Sequence, residues 1–126
     1  VSEAFRGSPQ AIAWLALPDS KPLYLSVITL GEIERGVVLA QRRDTVRAAK
    51  LAEWLKGLQA QYADRILPVD EPVSLIWGKL SSEKERGDAD GLIAATAIVH
   101  GMTLVTRNVR DFAMSGVNLV NPWADA

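Results

Sequence analysis

Three carboxylates stand where an alternating strand–helix chain would place chemistry: Glu32, Asp90 and Asp111. Glu32 follows the short apolar run Leu23-Tyr24-Leu25-Ser26-Val27-Ile28, and Asp90 opens the most apolar helical stretch of the chain. Asp111 follows the run that ends at Thr106, within Thr106-Arg107-Asn108-Val109-Arg110-Asp111-Phe112. Open parallel sheets bind ligands outside the carboxyl ends of their strands, so Glu32 and the 106–111 turn are expected to meet at that edge. Asp90 joins them if its helix points its N-terminus the same way. Carboxylates crowded into one cleft repel each other unless a cation neutralises them. Oxygen donors suit magnesium or manganese, and such ions can activate water and hold a phosphodiester. By themselves, then, the residues point to an acidic metal site for phosphate chemistry.

Each acid also has an ordinary structural explanation. Thr29-Leu30-Gly31-Glu32 has the spacing of a capping box, in which Glu32 would only return a hydrogen bond to the helix start. Asp88 or Asp90 could be an N-cap, and Asn108 could cap a short helix with Asp111 in its first turn. Other chemistries find little support. The single histidine, His100, precedes Gly101 at a helix end, where it suits the negative end of the dipole. Gly31 and Gly36 match neither a phosphate-binding loop nor a dinucleotide fingerprint. Asp88-Ala89-Asp90-Gly91 looks like an aspartyl-phosphatase or calcium-loop sequence. However, no apolar strand precedes it, and the twelfth position of the calcium loop is Val99 instead of glutamate.

The elements that must position these groups alternate along the chain. Residues 23–28, 65–69, 102–106 and 117–120 are short apolar runs with the length and β-branched content of strands. Leu51, Trp54, Leu55 and Leu58, and again Val73, Ile76, Trp77 and Leu80, recur at helical spacing. Residues 9–17 and 29–43 also read as helices. Gly91 to Val99 is apolar nearly all round, so that helix should be buried on most sides, its alanines allowing close approach to a sheet. The expected fold is a three-layer α/β/α sandwich with a central parallel sheet, one domain spanning 1–126. Trp14, Trp54, Trp77 and Trp123 read as core or interface anchors.

The 126 residues carry a formal net charge of −1, so the molecule has no overall basic field, and a nucleic acid would have to be held by a local patch or through metal ions. The chain has no cysteine, which excludes disulfides, thiolate metal sites and thiol nucleophiles and fits a cytoplasmic protein. No apolar run approaches the roughly 20 residues needed to span a bilayer.

The motifs together resemble a known family. Leu25-Ser26-Val27-Ile28-Thr29-Leu30-Gly31-Glu32-Ile33-Glu34-Arg35-Gly36 is similar to the strand-to-helix motif of PIN-domain toxins of the VapC type. Asp90-Gly91-Leu92-Ile93-Ala94-Ala95-Thr96-Ala97 resembles their acid-plus-helix motif, and Leu104 to Phe112 resembles their third. Asn121-Pro122-Trp123 looks like the ending of the FitB-like branch. The resemblance implies a PIN-like fold and a magnesium- or manganese-dependent endoribonuclease toxin, usually a homodimer. It also implies inhibition by a small antitoxin that binds operator DNA.

By position, Glu32 and Asp90 correspond to metal-site acids of the family, and the next acidic position falls on Asn108 or Asp111. The branch has an aspartate where this chain has Asn108, an uncharged and weaker ligand, so Asp111 is the better choice. Arg35, Arg107 and Arg110, with Thr106 beside them, are candidates for contact with RNA phosphates, because guanidinium groups pair bidentately with phosphate. The family opens with an apolar strand ending in an aspartate, and this chain begins just after the corresponding point; the natural protein is expected to carry that strand. The rival reading is a PIN-like binding module that has lost its chemistry and acts through dimerisation and antitoxin or DNA complexes. A DNA flap or nick nuclease would share the metal site.

Overall fold

The computed structural model describes residues 13–17, 22–83, 88–106 and 118–120. Within them, strands β1 (Ala13–Ala16), β2 (Leu25–Ser26) and β3 (Ile66–Leu67) precede β4 (Thr103–Thr106) and β5 (Leu119–Val120). The helices are α1 (Val27–Gln41), α2 (Thr45–Gln61), α3 (Glu71–Glu83) and α4 (Asp88–Val99). β2 pairs β3 in parallel, and β4 pairs β5 in parallel. Between these pairs lies β1, antiparallel to β4 and bridged to β2 through Leu15 and Tyr24, which exchange hydrogen bonds of 2.9 and 2.7 Å. The order across the sheet is therefore β3, β2, β1, β4, β5.

β1 corrects the sequence reading, which takes 9–17 as a helix. Ala13-Trp14-Leu15-Ala16 is apolar at every position, and a short run of that kind has no periodicity to separate a strand from a buried helix. Its neighbours decide. Ala13 and Leu15 pack with Ile93, Ala94, Ala97 and Leu104, whereas Trp14 packs with Leu25, Ile33, Leu58 and Tyr62. That alternation places successive side chains on opposite faces of the sheet. The central sheet is mixed, because this inner strand runs against its neighbours.

The two clusters are the two interlayer cores of an α/β/α sandwich. α1 and α2 pack along each other on the face of Trp14 and Leu25, and α3 and α4 pack together on the face of Ala13 and Leu15. α4 buries Gly91 and the run Ile93 to Ala97, as its apolar circumference requires. It ends with Gly101 at φ 64°, where the Met102 N–H donates to the Ala97 carbonyl at 2.8 Å and the Gly101 N–H to that of Ile98 at 3.2 Å. This is a Schellman termination; His100 sits at its C-cap, in keeping with a structural role. Trp54 packs into the second cluster.

The register fixes which strand ends share an edge. Ala13 is opposite Thr106 and Leu15 is opposite Tyr24, so the same register carried two residues on sets Ser26 beside Ala13. β2 and β4 therefore point the same way, and their carboxyl ends, Ser26 and Thr106, flank Ala13 at about two strand spacings, roughly 10 Å.

Candidate functional site

Ser26 ends β2 and caps α1, its hydroxyl accepting from the Ile28 N–H at 3.0 Å. The capping-box reading of Thr29 and Glu32 is thereby excluded: Thr29 lies third in the helix and Glu32 sixth, too far in to serve the helix start. The ordinary explanation for Glu32 is gone. The hydroxyl of Thr29, fully buried, makes no hydrogen bond among the described residues, and Thr29 lies one turn before Glu32.

Glu32 is half-buried, and its carboxyl is held above the usual glutamate value. Burial is the larger cause and the negative charge of Asp90 the second, with Arg35 pulling the other way. Residues far apart in sequence are thus in electrostatic reach of one another. Asp90, also half-buried, stands in the first turn of α4 together with Asp88. α1 and α4 are in contact, and the effect of Asp90 on Glu32 sets the first turn of α4 within electrostatic reach of the second turn of α1.

Thr106 is 1% exposed at the carboxyl end of β4, on the edge from which α1 departs. Glu32, Asp90 and Thr106 therefore belong to one end of the molecule. Asn108, Asp111, Arg107 and Arg110 lie outside the described residues. Arg35 is exposed one turn beyond Glu32. Gly31 and Gly36 flank this stretch inside the helix, where glycine costs about 1 kcal/mol relative to alanine. No heavy atom within 4 Å of a Cβ at either position calls for a glycine.

Sequence reasoning does not single out Ser26 or Thr29 as part of this corner. Ser26 carries the signal of a cap residue at a strand-to-helix junction, but Thr29 carries the same signal three residues later.

Among the described residues no group of three or more histidine, aspartate and glutamate side chains gathers to enclose a metal; what they supply is the pair Glu32 and Asp90. Two partly desolvated oxygen donors that repel each other are nevertheless the donor set a hard divalent cation requires. The pair has a measurable cost without one. A raised carboxyl pKa in the folded state favours the protonated form. The associated stability is fully present below the ordinary glutamate value near 4.5 and is lost as pH rises through the raised value. At neutral pH and without divalent ions, Glu32→Gln is therefore expected to raise the melting temperature, with the advantage shrinking toward pH 4. An unchanged or lowered melting temperature at pH 7.5 in chelator would remove the repulsion from the picture.

The chain matches the PIN domain family model over residues 1–114. It belongs to the PIN-domain family. Over 99% of its length this PIN domain is 37% identical to Toxin FitB of Neisseria gonorrhoeae, covering 94% of that protein. It is 35% identical to VapC ribonuclease Y4jK of Sinorhizobium fredii, with 100% of this chain and 94% of the relative aligned. Its fold is similar to the crystal structure of FitAcB from Neisseria gonorrhoeae, with a TM-score of 0.69 and 39% identity over 80% of this chain and 76% of that one. The α/β PIN fold expected from the motifs is thus the fold of the molecule, and the FitB and VapC proteins are its relatives.

Proposed function

We propose that this PIN domain is a metal-dependent endoribonuclease and the toxin of a type II toxin–antitoxin pair. The observation that carries the reading is the apposition of Glu32 and Asp90 across the α1–α4 contact, where each burdens the other unless a cation lies between them. Glu32 and Asp90 would hold magnesium or manganese, with Asp111, or Asn108 in its place, supplied by the segment after Thr106. A bound ion supplies Lewis acidity toward phosphodiester oxygens.

The chain's own groups do the rest. Arg35 offsets part of the raised proton affinity that burial and Asp90 give Glu32, and its exposed guanidinium can bind a phosphate oxygen. Arg107 and Arg110 are the other proposed phosphate contacts. Thr106, buried at the strand end, closes β4 at the same corner. No covalent enzyme intermediate is required.

Names of relatives agree with the substrate: one is VapC ribonuclease Y4jK and another Ribonuclease VapC4 of Mycobacterium tuberculosis. One similar solved structure is that of FitAB bound to a DNA fragment. The proposed partners are therefore a small antitoxin, operator DNA through that antitoxin, and a second copy of the chain in a homodimer. No described helix is long and apolar enough to cross a membrane, and a cytoplasmic location is proposed with the RNA substrate.

Incubation of the purified protein with single-stranded RNA tests the function. Internal cleavage is expected in magnesium or manganese, abolished by chelator and restored by excess ion. Cleavage that persists in chelator would refute the metal dependence. No cleavage in any ion would favour the degenerate binding module, the reading that the uncharged Asn108 supports.

A further inference from the structure

The exposed face of α1 carries a stripe that leads away from the acid pair. Glu32, Arg35, Leu39 and Arg42 stand at i, i+3, i+7 and i+10, which puts them on one side of the helix. Arg35, Leu39 and Arg42 are all exposed, and helical conformation continues through Arg42, the C-cap residue. Beyond it come Arg43, at the turn between α1 and α2, and Arg47 and Lys50, in the first two turns of α2, all exposed. Among the described residues none of these five cations is in an ion pair; a pair does form farther along α2, between Lys56 and Glu53. The nearby Asp44 is committed to capping α2, accepting from the Arg47 N–H at 3.1 Å. Glu34, the remaining acid of α1, lies well round the helix from the stripe.

A chain with net charge −1 thus sets Arg35 and Arg42 in line with its acid pair along α1 and follows them with further exposed cations at the turn into α2 and in its first turns. We propose that this stripe is a substrate track: Arg35, Arg42, Arg43 and Arg47 hold the phosphates of an RNA strand on one side of the scissile bond. The proposal rests on the endoribonuclease reading and specifies where the flanking nucleotides lie. From Glu32 to Arg42 the helix rises about 15 Å, over which a stacked strand carries about four phosphates at roughly 3.4 Å each. Gly31, without a Cβ beside the stripe, lets a strand come close to the helix backbone. Exposed Leu39, between the two arginines, offers an apolar surface to a base or sugar. The bound class is a single-stranded polyanion, recognised through its backbone and not its sequence.

The test separates the track from the chemistry. In an Asp90→Asn background, binding of a labelled mixed-sequence single-stranded RNA is followed by anisotropy over a range of salt. Arg42→Ala with Arg47→Ala is expected to weaken binding at least tenfold and to lower the salt slope by about 0.7 for each phosphate no longer neutralised. Arg42→Lys should recover part of the affinity, and melting temperatures should not move. In the otherwise native enzyme, Arg42→Ala should raise KM for a long RNA with little change in kcat, and cut a dinucleotide too short to reach it as well as the parent does. Unchanged affinity and salt slope, with cleavage of long RNA intact, would overturn the track and leave the nuclease reading standing; the stripe would then serve a protein partner. A parent chain that neither binds nor cuts RNA would overturn both.

Discussion

Asp90→Asn is expected to reduce RNA cleavage by at least about 100-fold, while the protein melts at the same temperature or higher when no divalent ion is present. Losing a residue that merely supports a metal ligand already costs about 10- to 100-fold in affinity or activity, and loss of a ligand itself should exceed that. The fold should tolerate the change because asparagine keeps the shape and removes a charge that raises the proton affinity of Glu32. Asp90 lies third in α4, where a negative charge favours the helix dipole by under about 1 kcal/mol, so relief of the repulsion and loss of the dipole contribution oppose each other. Cleavage in magnesium and melting in chelator, measured on the same preparation, separate chemistry from folding. Full activity would show that Asp90 is only a first-turn acid.

The second large effect concerns the strand that sequence reading takes for a helix. Trp14→Ala is expected to destabilise the fold by about 3–5 kcal/mol, the range for deleting a buried aromatic. Trp14 is 2% exposed, and its ring meets that of Tyr62 at 5.2 Å and 54°. The guanidinium of Arg65 lies 4.8 Å from the Tyr62 ring on top of this pair. Truncating Trp14 empties the layer between the sheet and α1–α2 and removes the surface on which Ile33 and Leu58 pack. Urea unfolding gives the number. A loss under about 1 kcal/mol, as for an exposed side chain, would mean that Trp14 does not sit inside the sheet.

What is legible in the sequence follows from how each signal arises. α2 and α3 carry apolar stripes at helical spacing, and α4 is apolar all round, so period and composition announce them. The parallel pairs β2–β3 and β4–β5 are short apolar runs between polar boundaries and can be read as strands, although the hydrogen-bonded parts are shorter than the runs. β1 cannot be read this way: Ala13 to Ala16 is buried on both faces, so its partners and not its pattern choose its conformation. The cap of α1 is ambiguous because Ser26 and Thr29 both fit as capping residues, and only backbone geometry distinguishes the residue before a helix from the third one inside it.

For the site, Glu32 can be named as the acid that follows a strand and Asp90 as the acid that opens an apolar helix, and their mutual approach, 58 positions apart, depends on α4 lying against α1. The stripe of Arg35, Leu39 and Arg42 is visible only in part. Arg35 draws notice for its place beside Glu32, while Arg42 needs the extent of α1 and the exposure of its outer face.

Calorimetric titration of manganese into the metal-free protein at neutral pH examines the pairing of Glu32 and Asp90 most directly. The wild-type chain should bind with measurable heat and gain in melting temperature, and Glu32→Gln and Asp90→Asn should each abolish most of that binding, the double substitution adding little to either. Binding retained at wild-type strength in either single variant, or none in the wild type, would contradict a cation held between these two side chains.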